Sequence, residues 1–250
     1  MLLAIDIGNT NISCGIFTGK QLIKRFNLPT QKYNLANLRK RLGNITVDDG
    51  VICSVVPGVS SRLKSDLKKL LKKKLYCLGE NMRVPVRNLY RKPKQVGFDR
   101  LVNTFAGIKL YGAPLIIVDF GTAVTFDVIS AGEGYLGGLI LPGLDISLSA
   151  LAQRTALLPK IKLKNPREFI GRDTKSSMLS GIIYGFVALT DNLVKRIRLK
   201  IGKRARVIGT GGNIDLIRRY CQAIDQVDKD LTLKGLNLLH NLQTPKWGQT

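Results

Sequence analysis

The chain has 250 residues, 44% of them hydrophobic, and sets 40 Lys and Arg against 17 Asp and Glu for a net charge of +23. That is ample apolar material for two domains of roughly 110 to 130 residues each. Cys14, Cys53, Cys77 and Cys221 stand far apart with no C-x-x-C, which indicates neither a zinc cluster nor a disulfide framework, and no apolar run reaches the roughly 18 to 20 residues of a membrane span, so a cytoplasmic protein outside the membrane is expected.

In chain order, Leu2 to Ile5 read as a buried strand that delivers Asp6 into the small polar turn Ile7-Gly8-Asn9-Thr10-Asn11. Ile12, Cys14, Ile16 and Phe17 predict a returning strand. Gly8 admits close backbone approach, and successive N–H groups in such a turn form an anion-binding concavity of the kind that holds phosphate. Asp6 would then face a metal ion, because a bare carboxylate repels phosphate. Taken alone, the stretch is equally an ordinary Asx turn. Residues 21–28 predict a third strand, 34–42 a short helix ended near Gly43, and the β-branched run 51–56 a buried strand stopped by Pro57-Gly58. A helix capped by Ser60 or Ser61 follows, with Leu63, Leu67 and Leu70 on one face and lysines on the other. A short strand at 75–78 completes a mixed sheet covered by helices.

Residues 85–94 read as a loop and 97–110 as a helix. Then the opening pattern recurs: an apolar strand from Leu115, the turn Asp119-Phe120-Gly121-Thr122, and a second strand at 124–129. Two Asp-x-Gly turns about 113 residues apart, each opening a hairpin, indicate an internal duplication with facing phosphate loops. A glycine-rich strand and turn (134–143), a helix (144–153), a basic loop (160–173) and a long helix (176–199) come next. Arg206-Val207-Ile208 then runs into Gly209-Thr210-Gly211-Gly212-Asn213, a turn that can present backbone to adenosine or phosphate. A strand at Val227 and a helix at 231–242 close the chain, leaving 244–250 as a loose tail. The expected domains are 1–112 and 113–243.

These motifs, in this order, resemble the type III pantothenate kinases, members of the actin, sugar-kinase and heat-shock-chaperone ATPase superfamily. The resemblance rests on Asp6 to Asn11, Gly97-Phe98-Asp99-Arg100, Asp119 to Thr122, Gly137-Gly138 through Pro142-Gly143, Gly171-Arg172-Asp173-Thr174, and Gly209 to Asn213. It implies two duplicated ribonuclease-H-like (actin-like ATPase) α/β domains, each a mixed five-stranded sheet flanked by helices, with the active site in the cleft. The implied activity is ATP-dependent phosphorylation of pantothenate, the first step towards coenzyme A, by a homodimer with a shared site.

Residue by residue, the resemblance matches Asp6, Ile7, Gly8, Asn9, Thr10, Asn11, Ile12 and Ser13 to an ATP phosphate loop and Thr122 to a second ATP contact. It matches Asp99 to the general base, Tyr90, Gly97, Phe98, Asp99 and Arg100 to substrate contacts, and Thr174 to a contact supplied across the dimer interface. Asp119 matches a monovalent-cation site, for K⁺ or NH₄⁺, while Mg²⁺ arrives with ATP and reaches Asp6 through water. The residue types suit the chemistry. Phosphoryl transfer needs positioning and charge neutralisation, a carboxylate within reach of a hydroxyl accepts its proton, and a guanidinium suits a carboxylate substrate. Phe98 departs from the small residue usual at its place in the motif.

No G-x-x-x-x-G-K-[ST] occurs, and the single histidine, His240, falls in an apolar helix where its reading is structural. The basic runs at 62–74 and 195–206 read as solvated faces without interleaved aromatics. A nucleic-acid-binding transcriptional accessory protein on the same fold is therefore the less favoured alternative, and a superfamily kinase or phosphatase for another substrate is a third.

Overall fold

The computed structural model describes residues 1–243, so the expected tail at 244–250 lies outside the described residues. The described strands are β1 (Leu2–Ile7), β2 (Asn11–Thr18), β3 (Gln21–Pro29), β4 (Asp49–Ser54), β5 (Leu75–Cys77), β6 (Arg87–Asn88), β7 (Leu115–Phe120), β8 (Ala123–Ile129), β9 (Gly134–Pro142), β10 (Arg206–Thr210) and β11 (Gln226–Val227). The helices are α1 (Leu35–Leu42), α2 (Pro57–Leu70), α3 (Phe98–Tyr111), α4 (Leu144–Arg154), α5 (Thr174–Ile201), α6 (Ile214–Arg218) and α7 (Leu231–Gln243). The chain forms two compact units: Met1–Val86, Arg91–Lys109 and the segment from Asp230 make the first, and Arg87–Tyr90 with Leu110–Lys229 the second.

The first unit is a sheet in the order β3-β2-β1-β4-β5, with β1 antiparallel to β2 and parallel to β4. A central strand is covered on both faces, which explains why Leu2-Leu3-Ala4-Ile5 is apolar without alternation. Leu3, Ile5 and Ile7 pack towards α1 and α2 through Leu38, Leu63 and Leu67. Leu2 and Ala4 face the other way, among Val102 and Phe105 of α3 and Leu233, Leu236 and Leu239 of α7. The last helix therefore belongs to the first unit, and the expected 113–243 domain does not hold for it. The apolar stripe of α7 needs a partner, and Leu2, Ala4, Phe17 and Val51 present a sheet face that only a helix can cover.

The second unit repeats the pattern. Its order is β11-β10-β7-β8-β9-β6, with β7 antiparallel to β8 and parallel to β10, so β7 occupies the place of β1. The duplicated mixed α/β sheets agree with the expected fold class, but this sheet has six strands rather than five. The extra one is β6, found inside the expected loop 85–94, where Arg87 and Asn88 pair in parallel with Gly134 and Tyr135 of β9. A two-residue edge strand leaves no periodicity to read. Ile183, Val187 and Val194 of α5 pack with Ile116, Val118 and Phe120 of β7. By length and composition α5 is sufficient to cross a membrane, and this buried face accounts for its apolar content.

Helix α2 begins at Pro57 rather than at a serine cap, and no side chain caps it. Proline at the first helical position has a suitable φ and no N–H to satisfy, so Ser60 and Ser61 fall inside the helix. All four cysteines are free and buried.

Candidate active site

Asp6 is the last residue but one of β1, opposite Ser13 on β2 and beside Cys53 on β4. The turn after it is closed by the Gly8 N–H, which donates to the Asn11 carbonyl at 3.0 Å. Asn9, Thr10 and Asn11 project to solvent, whereas Ile7 and Ile12 are fully buried, so these two offer a ligand only backbone groups. Thr30 tethers the turn twice. Its N–H donates to the Thr10 carbonyl at 3.0 Å, and its hydroxyl donates to the Gly8 carbonyl at 2.7 Å. Thr30 is itself buried, and nothing in its sequence surroundings marks it.

Gly97-Phe98-Asp99-Arg100 opens α3. Asp99 lies in the first turn, where the helix dipole favours a carboxylate, and its Oδ1 accepts the Arg100 N–H at 2.9 Å. A Cβ on Gly97 would stand 2.3 Å from Asp99 Oδ1, so only glycine lets the carboxylate fold back there. The Cys53 thiol is pushed well above its ordinary range, first by burial and then by the Asp6 and Asp99 carboxylates. Both carboxylates thus act electrostatically on one buried sulfur of the first unit, which Asp6 faces across the β1–β4 pair. Phe98 leans on Gly79: a Cβ there would fall 2.5 Å from its ring.

In the second unit, Asp119 and Thr122 border a turn closed on itself by the Gly121 N–H, which donates to the Ala123 carbonyl at 3.1 Å. Two glycine turns press against it. The Gly143 N–H donates to the Thr122 carbonyl at 3.1 Å, and a Cβ on Gly143 would lie 2.2 Å from that oxygen. Gly211, at φ +94°, approaches so closely that a Cβ would lie 2.4 Å from Asp119 Oδ1 and 2.6 Å from the Phe120 backbone. The Asn213 N–H completes the link by donating to the Phe120 carbonyl at 3.1 Å, while its side-chain amide donates to Asp145 at 3.0 Å. Asp119 to Thr122, Gly143 and Gly211 to Asn213 are therefore one constellation, a cradle of backbone groups beside a carboxylate. Asp145 was not foreseen from the sequence.

Tyr90 belongs to the second unit, half-buried, its ring 6.2 Å from that of Tyr135 and its edge against Gly137. Thr174 is exposed in the first turn of α5, next to the capping box that Asp173 and Ser176 form, and no hydrogen bond joins it to the other predicted residues of its unit. Among the described residues no three of His, Cys, Asp and Glu converge as a metal site.

Duplicated mixed sheets, each with an Asp-x-Gly turn at the end of its central strand, define a two-unit α/β fold. In agreement, the activator of 2-hydroxyisocaproyl-CoA dehydratase from Clostridium difficile, solved with bound ADPNP, matches with a TM-score of 0.56 at 13% identity over 100% of this chain and 98% of that one. A conserved Campylobacter jejuni protein assigned to the Baf family of transcriptional activators matches with a TM-score of 0.63 at 20% identity, covering 96% and 98% of the two chains. Both likenesses speak for the fold alone.

The particular family follows from sequence. The family model for type III pantothenate kinase matches residues 2–196. The type III pantothenate kinase of Pelobacter propionicus is 40% identical over 96% of this chain and 98% of its own, and that of Agathobacter rectalis 35% identical over 98% and 99%. The chain belongs to the type III pantothenate kinase family, and a kinase of this family uses ATP with a divalent metal ion.

Proposed function

We propose that the protein transfers the γ-phosphoryl group of ATP to the primary hydroxyl of pantothenate, as a soluble cytoplasmic enzyme of coenzyme A biosynthesis. The observation that carries this reading is the Gly97-Phe98-Asp99-Arg100 turn in a chain of this family: a carboxylate at a helix N-terminus, sharing the environment of Cys53 with the carboxylate of the phosphate loop. Asp99 accepts the proton of the attacking hydroxyl, a contribution of about 10² to 10⁴ in rate. Arg100 and Tyr90 hold the pantothenate carboxylate and chain, and Thr174 contributes from a second copy in a homodimer. The N–H groups of Asn9 and Thr10 and the hydroxyls of Thr10 and Thr122 cradle phosphate oxygens. They are polar, exposed and set on turns pinned by Thr30 and Gly143.

The residues fit the expected ions. The Asp6 carboxylate would hold the Mg²⁺ of ATP through a water, and the ion would supply neutralisation of phosphate charge there. The Asp119 carboxylate, in a cradle that a Cβ at Gly211 would fill, suits a monovalent cation completed by carbonyl oxygens. Measuring ADP release with pantothenate and Mg²⁺, with K⁺, NH₄⁺ or Na⁺, tests the reading. Pantothenate-dependent turnover that needs K⁺ or NH₄⁺ is expected. Strongly salt-dependent DNA binding with no turnover would instead favour the nucleic-acid role that the charge of +23 invites.

A further inference from the structure

The first unit holds a cavity of about 270 Å³ beside the opening turns of α2. Ile52, Leu78 and Phe98 form an apolar wall, and Ser54, Pro57 and Ser60 line the side at the start of the helix. Lys64 and Glu80, also in the lining, are ion-paired to each other. Two independent features point at one kind of ligand. The N-terminus of α2 has no side-chain cap, and the Ser54 hydroxyl that might have served instead accepts the Val56 N–H at 3.1 Å, so the Gly58 and Val59 N–H groups keep the positive end of a 14-residue helix unanswered by a side chain. Separately, Ser60 is only 6% exposed, lines the cavity, and its hydroxyl makes no hydrogen bond within the described chain. On a residue otherwise buried, a hydroxyl with no partner in the chain and a place in the cavity lining is a donor that a ligand in the cavity can use.

We propose that this cavity binds a small organic oxyanion: a carboxylate or phosphate head against the N-terminus of α2 and the Ser60 hydroxyl, with a short apolar body against Ile52, Leu78 and Phe98. The volume argues for the body. Water takes about 30 Å³ per molecule in the liquid, so about 270 Å³ admits several heavy atoms beyond a bare ion. The Glu80 carboxylate opposes an anion while it neighbours Lys64, and its 60% exposed side chain is free to turn to solvent when the incoming head takes over the Lys64 ammonium. Of the residues matched to the kinase chemistry, only Phe98, between Gly97 and Asp99, forms part of its wall.

Calorimetric titration of the full-length protein at constant ionic strength, without ATP or pantothenate, tests the proposal with four probes: butyrate, butyl phosphate, inorganic phosphate and 1-butanol. Butyrate or butyl phosphate should saturate one site at millimolar concentration, more tightly than inorganic phosphate or 1-butanol. Ser60→Ala should weaken it about tenfold, the worth of a hydrogen bond to a charged group. Glu80→Gln should tighten it severalfold by releasing Lys64. Ser60→Leu should abolish binding with circular dichroism unchanged, and if that variant does not fold, the opposite signs of the first two decide. Absence of saturation by either organic anion, affinity equal in wild type, Ser60→Ala and Glu80→Gln, or 1-butanol binding as well as butyrate would each overturn it. Kinase turnover is read separately, so failure of one leaves the other standing.

Discussion

Gly211→Ala places a methyl carbon where the Asp119 turn leaves no room. Its Cβ would lie 2.4 Å from Asp119 Oδ1 and 2.6 Å from the Phe120 backbone C and N, whereas ordinary contact begins at 3.4 Å. The Asp119 turn or the Gly211 turn must therefore retreat by about 1 Å, a misplacement of the size that costs roughly 10² in rate. The φ of +94° adds strain, about 1 to 2 kcal/mol for a residue with a Cβ. The hydrogen bond from the Asn213 N–H to the Phe120 carbonyl, 3.1 Å in length, lies across the same gap and would stretch with it. Steady-state ADP release with ATP varied should show kcat/KM for ATP down about 10²-fold, and thermal unfolding should occur several degrees lower. Gly132→Ala, in the exposed turn between β8 and β9, is the control: its Cβ would meet nothing nearer than 4.0 Å, so activity and Tm should stay near wild type. Wild-type kcat/KM and Tm in Gly211→Ala, or equal damage from both substitutions, would refute the steric account.

Three further outcomes are expected. Asp99→Asn should lower kcat by about 10² or more with little change in Tm, and a variant as fast as wild type in the ADP-release assay would remove Asp99 as the base. Thr30→Val deletes the hydroxyl that donates to the Gly8 carbonyl at 2.7 Å inside the fold, so urea unfolding should report a loss of about 1 to 3 kcal/mol and KM for ATP should rise. An unchanged KM would show that the tether does not shape the first turn. Burial pushes the His240 imidazole below its ordinary 6.5, against the opposing pull of the Asp49 carboxylate. The native state holds it neutral while the unfolded chain takes up a proton near pH 6.5, so its contribution is present above pH 6.5 and lost as pH falls below it. Melting temperature followed down to about pH 5 should therefore fall more steeply in wild type than in His240→Gln, and parallel curves would contradict the assignment.

Within the site, legibility followed locality. Asp6 and Asp119 could be found because each ends an apolar strand and precedes a glycine turn, a pattern contained in a few adjacent residues. Thr30 could not, since its bond to Gly8 spans 22 positions and a lone threonine after Pro29 carries no signal. Asp145 was equally silent before the fold set it against the Asn213 amide. The resemblance matches Ile7 and Ile12 to the phosphate loop along with their neighbours. Both side chains are buried in the core, which a motif read as one contiguous stretch does not reveal.

By itself the sequence determined the two hairpins, their Asp-x-Gly turns and the helices with a clear apolar stripe, because strand alternation, turn chemistry and helical spacing are short-range properties of neighbouring side chains. Tertiary structure decided where α7 belongs, that Arg87 and Asn88 extend the second sheet, and that Gly143 and Gly211 close on the Asp119 turn. The stripe of α7 states that it must be covered, and only the exposed face of β1 and its neighbours says by what. Burial is settled by the shape of the whole unit, and a glycine needed for close approach declares itself only once the opposing backbone is there to approach.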